Sequence, residues 1–75
     1  MNKQRRNLIG ENINLLEKIK NNLEDILSDE EFSFDNMPEN LQGSLRGEES
    51  ETAIDVLSEA IDDIENCIEK LNEIV

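Results

Sequence analysis

The chain has no histidine, no tryptophan and no tyrosine, and its single cysteine, Cys67, has no partner within its 75 residues. An internal disulfide is therefore excluded, and so are zinc sites built on Cys and His. A catalytic histidine is absent, and with it the commonest general acid or base. One proline and three glycines leave few interruptions of regular structure. No apolar run approaches the roughly 20 residues of a membrane span, and Met1-Asn-Lys-Gln-Arg-Arg6 lacks the apolar core of a signal peptide. A cytoplasmic protein with a reduced thiol is expected. Bases are scarce too: seven against nineteen acids give a net charge of -12. Such a chain should repel nucleic acid and anionic membranes as a whole.

What is present is helical periodicity on either side of one distinctive stretch. In the first segment Ile9, Leu16 and Leu23 form one heptad row, and Ile19 and Ile26 a second, which Asn12 joins. Leu8 and Leu15 thicken this stripe on one side, Ile13 and Leu27 on the other. In the second segment Ile54, Ile61, Ile68 and Val75 alternate with Leu57, Ile64 and Leu71, and a third row begins small: Ala53, Ala60, Cys67, Ile74. Three or four apolar rows exceed the narrow seam of a two-stranded coil and imply burial against more than one neighbour.

The pattern predicts an all-α fold of one domain: a helix over about 3–36, a hinge over 37–47 and a helix over about 48–74. Two long helices joined by a short connection form an antiparallel hairpin, each helix roughly 40–50 Å long at 1.5 Å per residue. A domain of this size removes only about 60% of its unfolded surface from water. Pairing of hairpins into a four-helix bundle or larger homo-oligomer is the remedy left open. Asn12, within the stripe, would then fix register at a cost in stability. Within the hinge, Pro38 to Gln42 reads as one helical turn capped by Asp35 or Asn36 and stopped by Gly43. Leu41, Leu45, Phe32 and Met37 are expected to plug the end of the core.

The acids fall mostly on outward positions, without the spacing of a calcium loop, so no catalytic apparatus, metal or cofactor is expected. The bases are more informative. Lys3, Arg5 and Arg6 crowd the first helical turn, where the macrodipole disfavours cations. Either Glu69 and Glu73 of the second helix compensate them, or they converge with helix-terminal N–H groups on a phosphate. Arg46 is the only base between Lys20 and Lys70, set among Asn36, Asn40, Gln42 and Ser44. That group could read a small polar ligand or staple the linker to the helix ends.

The hinge, Phe34-Asp-Asn-Met-Pro-Glu-Asn-Leu-Gln-Gly-Ser-Leu-Arg-Gly-Glu48, followed by Ala53-Ile-Asp-Val-Leu57, resembles a group of small acidic proteins of phages and prophages of Gram-positive bacteria. An aromatic-Asp-Asn-Leu-Pro-Glu segment, a Leu-Gln and an Arg-Gly-Glu are typical of that group, and Met1 to Arg6 is similar to its basic start. Gly43 and Leu45 depart from it, standing where polar or acidic residues are usual. The resemblance implies a non-enzymatic protein of the bacterial cytoplasm that counters host immunity. Its first expected mechanism is sequestration of a phosphate-bearing nucleotide signal in an oligomer interface. Arg46 would bind the ligand with Asn36, Asn40 and Ser44, while Lys3, Arg5 and Arg6 contact phosphate. Arg46 and the N-terminal bases lie at opposite ends of one hairpin, so they share a ligand only if a second copy packs head to tail. The second mechanism is an acidic decoy for a basic surface of a host defence protein, presenting Asp55, Glu59, Asp62, Glu69 and Glu73. A purely structural oligomerisation module is the third.

Overall fold

The computed structural model describes all 75 residues, and they form three helices: α1 (Lys3–Asp35), α2 (Glu39–Gln42) and α3 (Leu45–Asn72). The two long helices pack along their length as an antiparallel hairpin, with Cα extents of 58 × 15 × 12 Å. No helix is long and apolar enough to cross a membrane.

Asn2 opens α1 by accepting a hydrogen bond from the Arg5 backbone N–H at 2.8 Å. This cap satisfies one of the donors that a helix start leaves free. The same turn carries Lys3, Arg5 and Arg6 and no acid, and the last turn of α1 carries no base. Both ends of α1 thus oppose the macrodipole. The ends of α3 agree with it, with Glu48 in the first turn and Lys70 in the last. α1 stops at Asp35 because Pro38 disfavours helical geometry at Met37. Asn36 closes it, its backbone N–H bonding the Phe32 and Phe34 carbonyls and its side-chain amide donating to the Phe32 carbonyl at 2.8 Å.

The α2 turn spans the predicted place, but Pro38 is its cap, with no side-chain hydrogen bond from Asp35 or Asn36. Gly43 closes it with φ −85, so the hinge needs no left-handed residue. α3 begins at Leu45, ahead of the expected Glu48, because Ser44 already has the extended backbone of a helix cap and its carbonyl accepts from the Glu48 N–H at 2.9 Å. Gly47 is buried in the first turn of α3, where a Cβ would collide with the carbonyls of Gln42 and Leu41. That close approach joins α2 to α3.

The expected plug does not form as a unit. Phe32 is 72% exposed and Leu45 71%, while Met37 is half-buried. Phe32 and Leu45 lie on helix positions turned away from the seam, and the hinge is too short to fold either one back. Inside the hairpin, α1 contributes Ile9, Ile13, Leu16, Leu23, Leu27 and Phe34, and α3 contributes Ile54, Leu57, Ile61, Ile64, Ile68 and Leu71. Only Ile13, Ile61 and Ile68 among the apolar residues are buried, and no large side chain is fully enclosed. Asn12 is displaced from this seam. It is exposed, its amide donating to the Leu8 carbonyl at 2.8 Å, because Ile13 takes the inward position instead.

Candidate functional site

Arg46 lies in the first turn of α3 and lines an open hollow of about 280 Å³ with Glu30, Ser33, Met37, Glu49 and Ser50. The hollow therefore holds two carboxylates beside one guanidinium. Buried Ser50 donates through Oγ to Oε1 of Glu30 at 2.7 Å, tying α3 to α1 at this end. No carboxylate lies within 4.0 Å of the Arg46 guanidinium.

The hinge side chains expected beside Arg46 turn back on the backbone instead. Asn36 donates to the Phe32 carbonyl, Ser44 Oγ donates to the Leu41 carbonyl, and Gln42 reaches the Phe34 carbonyl at 3.0 Å. Each of these carbonyls near a helix end already accepts one backbone N–H, and the side chain fills its second acceptor site. Asn40 is exposed on α2. Asn36, Asn40 and Ser44 line no part of the Arg46 hollow.

Lys3, Arg5 and Arg6 sit at the opposite end of the hairpin and divide between two faces. Lys3 and Arg6 line an open groove of about 650 Å³ with Gly10, Glu11, Asn14, Glu17 and Asn72, and Arg5 does not. The compensating pairs with Glu69 and Glu73 are absent. The reason is register. In an antiparallel pair, facing residue numbers add to a near-constant value, and the Glu30–Ser50 and Lys20–Glu65 contacts set it between 80 and 85. Residues 3–6 then face positions from 74 onward, beyond the end of α3 at Asn72. Lys20 makes the ion pairs of the molecule, to Glu24 and Glu65, each at 4.0 Å.

Two further surfaces run the length of the rod. Asp55, Glu59, Asp62, Glu69 and Glu73 are all exposed, and none has a cation within 4.0 Å. At 3- and 4-residue spacings, with Asn66 filling the gap, they form one outward row along α3 that ends at its cap, Glu73. The other surface is apolar: Leu8 (50% exposed), Leu15 (58%), Ile19 (47%) and Ile26 (52%) on α1. Ala53, Ala60 and Cys67 accompany them on α3, half-buried or exposed, with exposed Ile74 just beyond its end. In both helices this outer row stands one residue before the inner row: 8 before 9 and 15 before 16, 60 before 61 and 67 before 68. Facing antiparallel helices turned in the same sense bring both rows to one side of the hairpin. Periodicity alone does not separate inner from outer rows, because Ile13 and Leu27 flank the stripe on one side just as Leu8 and Leu15 do on the other.

No side-chain group of Cys, Asp and Glu is placed to hold a metal ion. No family model matches the chain, and no curated protein or solved structure matches it.

Proposed function

We propose that this chain is a non-enzymatic binding protein that works as a paired acidic rod. Two hairpins close their apolar faces into a four-helix bundle, and the outward carboxylates engage a basic surface on a protein partner. In the cytoplasmic, phage-encoded setting implied by the resemblance, that partner is a host defence protein with a nucleic-acid-binding face.

The observation that carries this reading is the row from Asp55 to Glu73, exposed and unpaired along α3. Acids three and four residues apart repeat at roughly 5–6 Å along a helix, sparser than the one charge per about 1.7 Å of duplex DNA. Two α3 helices brought alongside each other by pairing double that density. Support for pairing comes from Leu8, Leu15, Ile19 and Ile26. Each is about half exposed, and full burial of such a side chain stabilises by about 1.5–3 kcal/mol. Closing the face therefore offers roughly 3–6 kcal/mol per hairpin from α1 alone.

Affinity for a basic partner should fall steeply from low to physiological salt, because exposed charges are screened beyond about 8–10 Å. Replacing Asp55, Glu59 and Asp62 with Lys should abolish it. The test is capture of partners from host lysate by both forms, followed by competition with duplex DNA for the captured protein. Capture that ignores salt and the triple substitution would exclude this mechanism.

Capture of a nucleotide signal is the second reading, and one observation favours it: Lys3 and Arg6 line a groove with Asn72 and have no carboxylate within 4.0 Å. Calorimetric titration with cyclic and ADP-ribose-type nucleotides decides it. Heat that is lost on replacing Lys3 and Arg6 with Ala would select nucleotide capture over the acidic rod, and absence of heat would exclude it.

A further inference from the structure

The outer face of α1 reads the same in both directions. At heptad spacing it carries Arg5, Leu8, Asn12, Leu15, Ile19, Asn22, Ile26 and Asp29, all exposed. Laid antiparallel on a second copy with facing numbers adding to 34, Leu15 meets Ile19, Asn12 meets Asn22 and Leu8 meets Ile26. The outermost layer brings Arg5 against Asp29. Apolar meets apolar, amide meets amide and cation meets anion, each twice about a two-fold axis level with Glu17.

We infer that the occupant of this face is a second copy of the chain, packed head to tail with α1 against α1 in that register. The inference rests on the self-pairing proposed above and adds its symmetry, its register and the residues that specify both. Three observations support it.

The first is charge. Arg5 stands in the first turn of α1, where cations are disfavoured, and Asp29 lies on the same outer row near the other end of the apolar stretch. Neither has an ion-pair partner within the hairpin. Antiparallel pairing brings the two together at both ends of the interface. Parallel α1 helices in register would set Arg5 on Arg5 and Asp29 on Asp29, and like charges across such a seam set partner choice and orientation. Packing α1 against the partner's α3 instead would set Asp29 level with positions 51–56, which hold no cation, and Arg5 level with positions from 75 onward, beyond the end of α3.

The second is α3. The Glu30–Ser50 and Lys20–Glu65 contacts put Glu17 level with positions 63–68 of α3. The two-fold axis therefore crosses α3 within that window, and Cys67 lies inside it. Around a midpoint at Glu65, the outer row of α3 sets Val56 opposite Ile74 of the partner, with Asp63 and Lys70 opposite the small Cys67 and Ala60. One axis thus serves both helices. The small Ala60 and Cys67 allow the α3 helices to approach.

The third is size. The register above overlaps residues 3–31 of α1, about 42 Å at 1.5 Å per residue, across a hairpin 15 Å wide between Cα positions, a projected area of about 630 Å² before side chains are added. A standard stable interface buries about 800 Å² per partner. The Arg46 hollow opens on this same side, since Ser33 lines it and continues the outer row beyond Asp29. Its carboxylates Glu30 and Glu49 lie at the end where the partner's Arg5 arrives.

The test is a charge exchange read by sedimentation equilibrium. The unmutated protein should be a dimer at micromolar concentration. Arg5→Asp and Asp29→Arg should each raise the dimer dissociation constant about tenfold, since each breaks two symmetry-related pairs and creates two repulsions. The double substitution Arg5→Asp/Asp29→Arg should restore dimerisation to within about threefold of the original. As a second readout, Leu15→Cys/Ile19→Cys in a Cys67→Ser background should form a covalent dimer on oxidation, through Leu15 and Ile19 positions of opposite copies. An unmutated protein that stays monomeric would overturn self-pairing itself. A stable dimer that ignores the single exchanges, or is not rescued by the double one, would overturn this register while leaving self-pairing intact.

Discussion

Two glycines at helical positions should respond to the same substitution with opposite sign. Replacing a helical Gly with Ala is worth about 1 kcal/mol in propensity. At Gly10 an added Cβ would have no neighbouring atom within 4 Å, so Gly10→Ala should stabilise by about 0.5–1 kcal/mol. At Gly47 the Cβ would fall inside the Gln42 carbonyl, close to that of Leu41. These are backbone atoms of the α2 turn, so relief requires the turn to move as a body. Overpacking costs about 1–3 kcal/mol and occasionally more; a Cβ inside a backbone carbonyl belongs at the upper end, so net of a propensity gain of about 1 kcal/mol Gly47→Ala should destabilise by about 2 kcal/mol. For a chain of this size a change of 1 kcal/mol moves the melting temperature by about 4–8 °C. Thermal unfolding followed by circular dichroism measures both. Protein concentration must be held equal, because association shifts apparent stability by mass action. A Gly47→Ala protein as stable as the original would refute the argument that this glycine is required by contact with α2.

Asn2→Ala removes the side-chain cap of α1 and should cost about 1 kcal/mol, while Asn2→Asp should keep the cap; urea unfolding of both variants checks this. Ser50→Ala deletes the hydrogen bond to Glu30 and should lower stability by about 1–2 kcal/mol. In the Ser50→Ala background, Glu30→Gln should cost little more, and a large additional loss would show that Glu30 is held by something else. Arg46→Ala should leave the melting temperature within about 2 °C, because Arg46 is exposed and makes no ion pair. A larger drop would restore the linker-staple role to that residue.

Much of the architecture was legible because it depends on local terms. Apolar spacing near 3.6 residues specifies two helices, Pro38 specifies where the first must end, and the excess of acid over base specifies a rod of strongly negative surface. The α2 turn between Pro38 and Gly43 followed from the same backbone rules. The tertiary structure decided how the helices are rotated. Helix α1 has apolar residues at 8 and 15, at 9, 16 and 23, at 13 and 27, and at 19 and 26, so several rotations bury a comparable number of them. Packing against α3 keeps Ile9, Leu16 and Leu23 inward, brings Ile13 and Leu27 in beside them and turns Asn12, Ile19 and Ile26 outward, a rotation of about half a residue step, roughly 50°. The composition of the predicted site was likewise decided by packing. Asn36 and Ser44 look free in the sequence, but each donates a second hydrogen bond to a carbonyl that its own backbone N–H already reaches, a geometry that exists only once a helix ends beside it. Arg46 looks like a hinge residue, but α3 starts before it and carries it round to Glu30 and Glu49. A sequence determines which groups are present and the period at which they recur. Which of them meet depends on the phase of one helix against another, and that is a property of the packed pair.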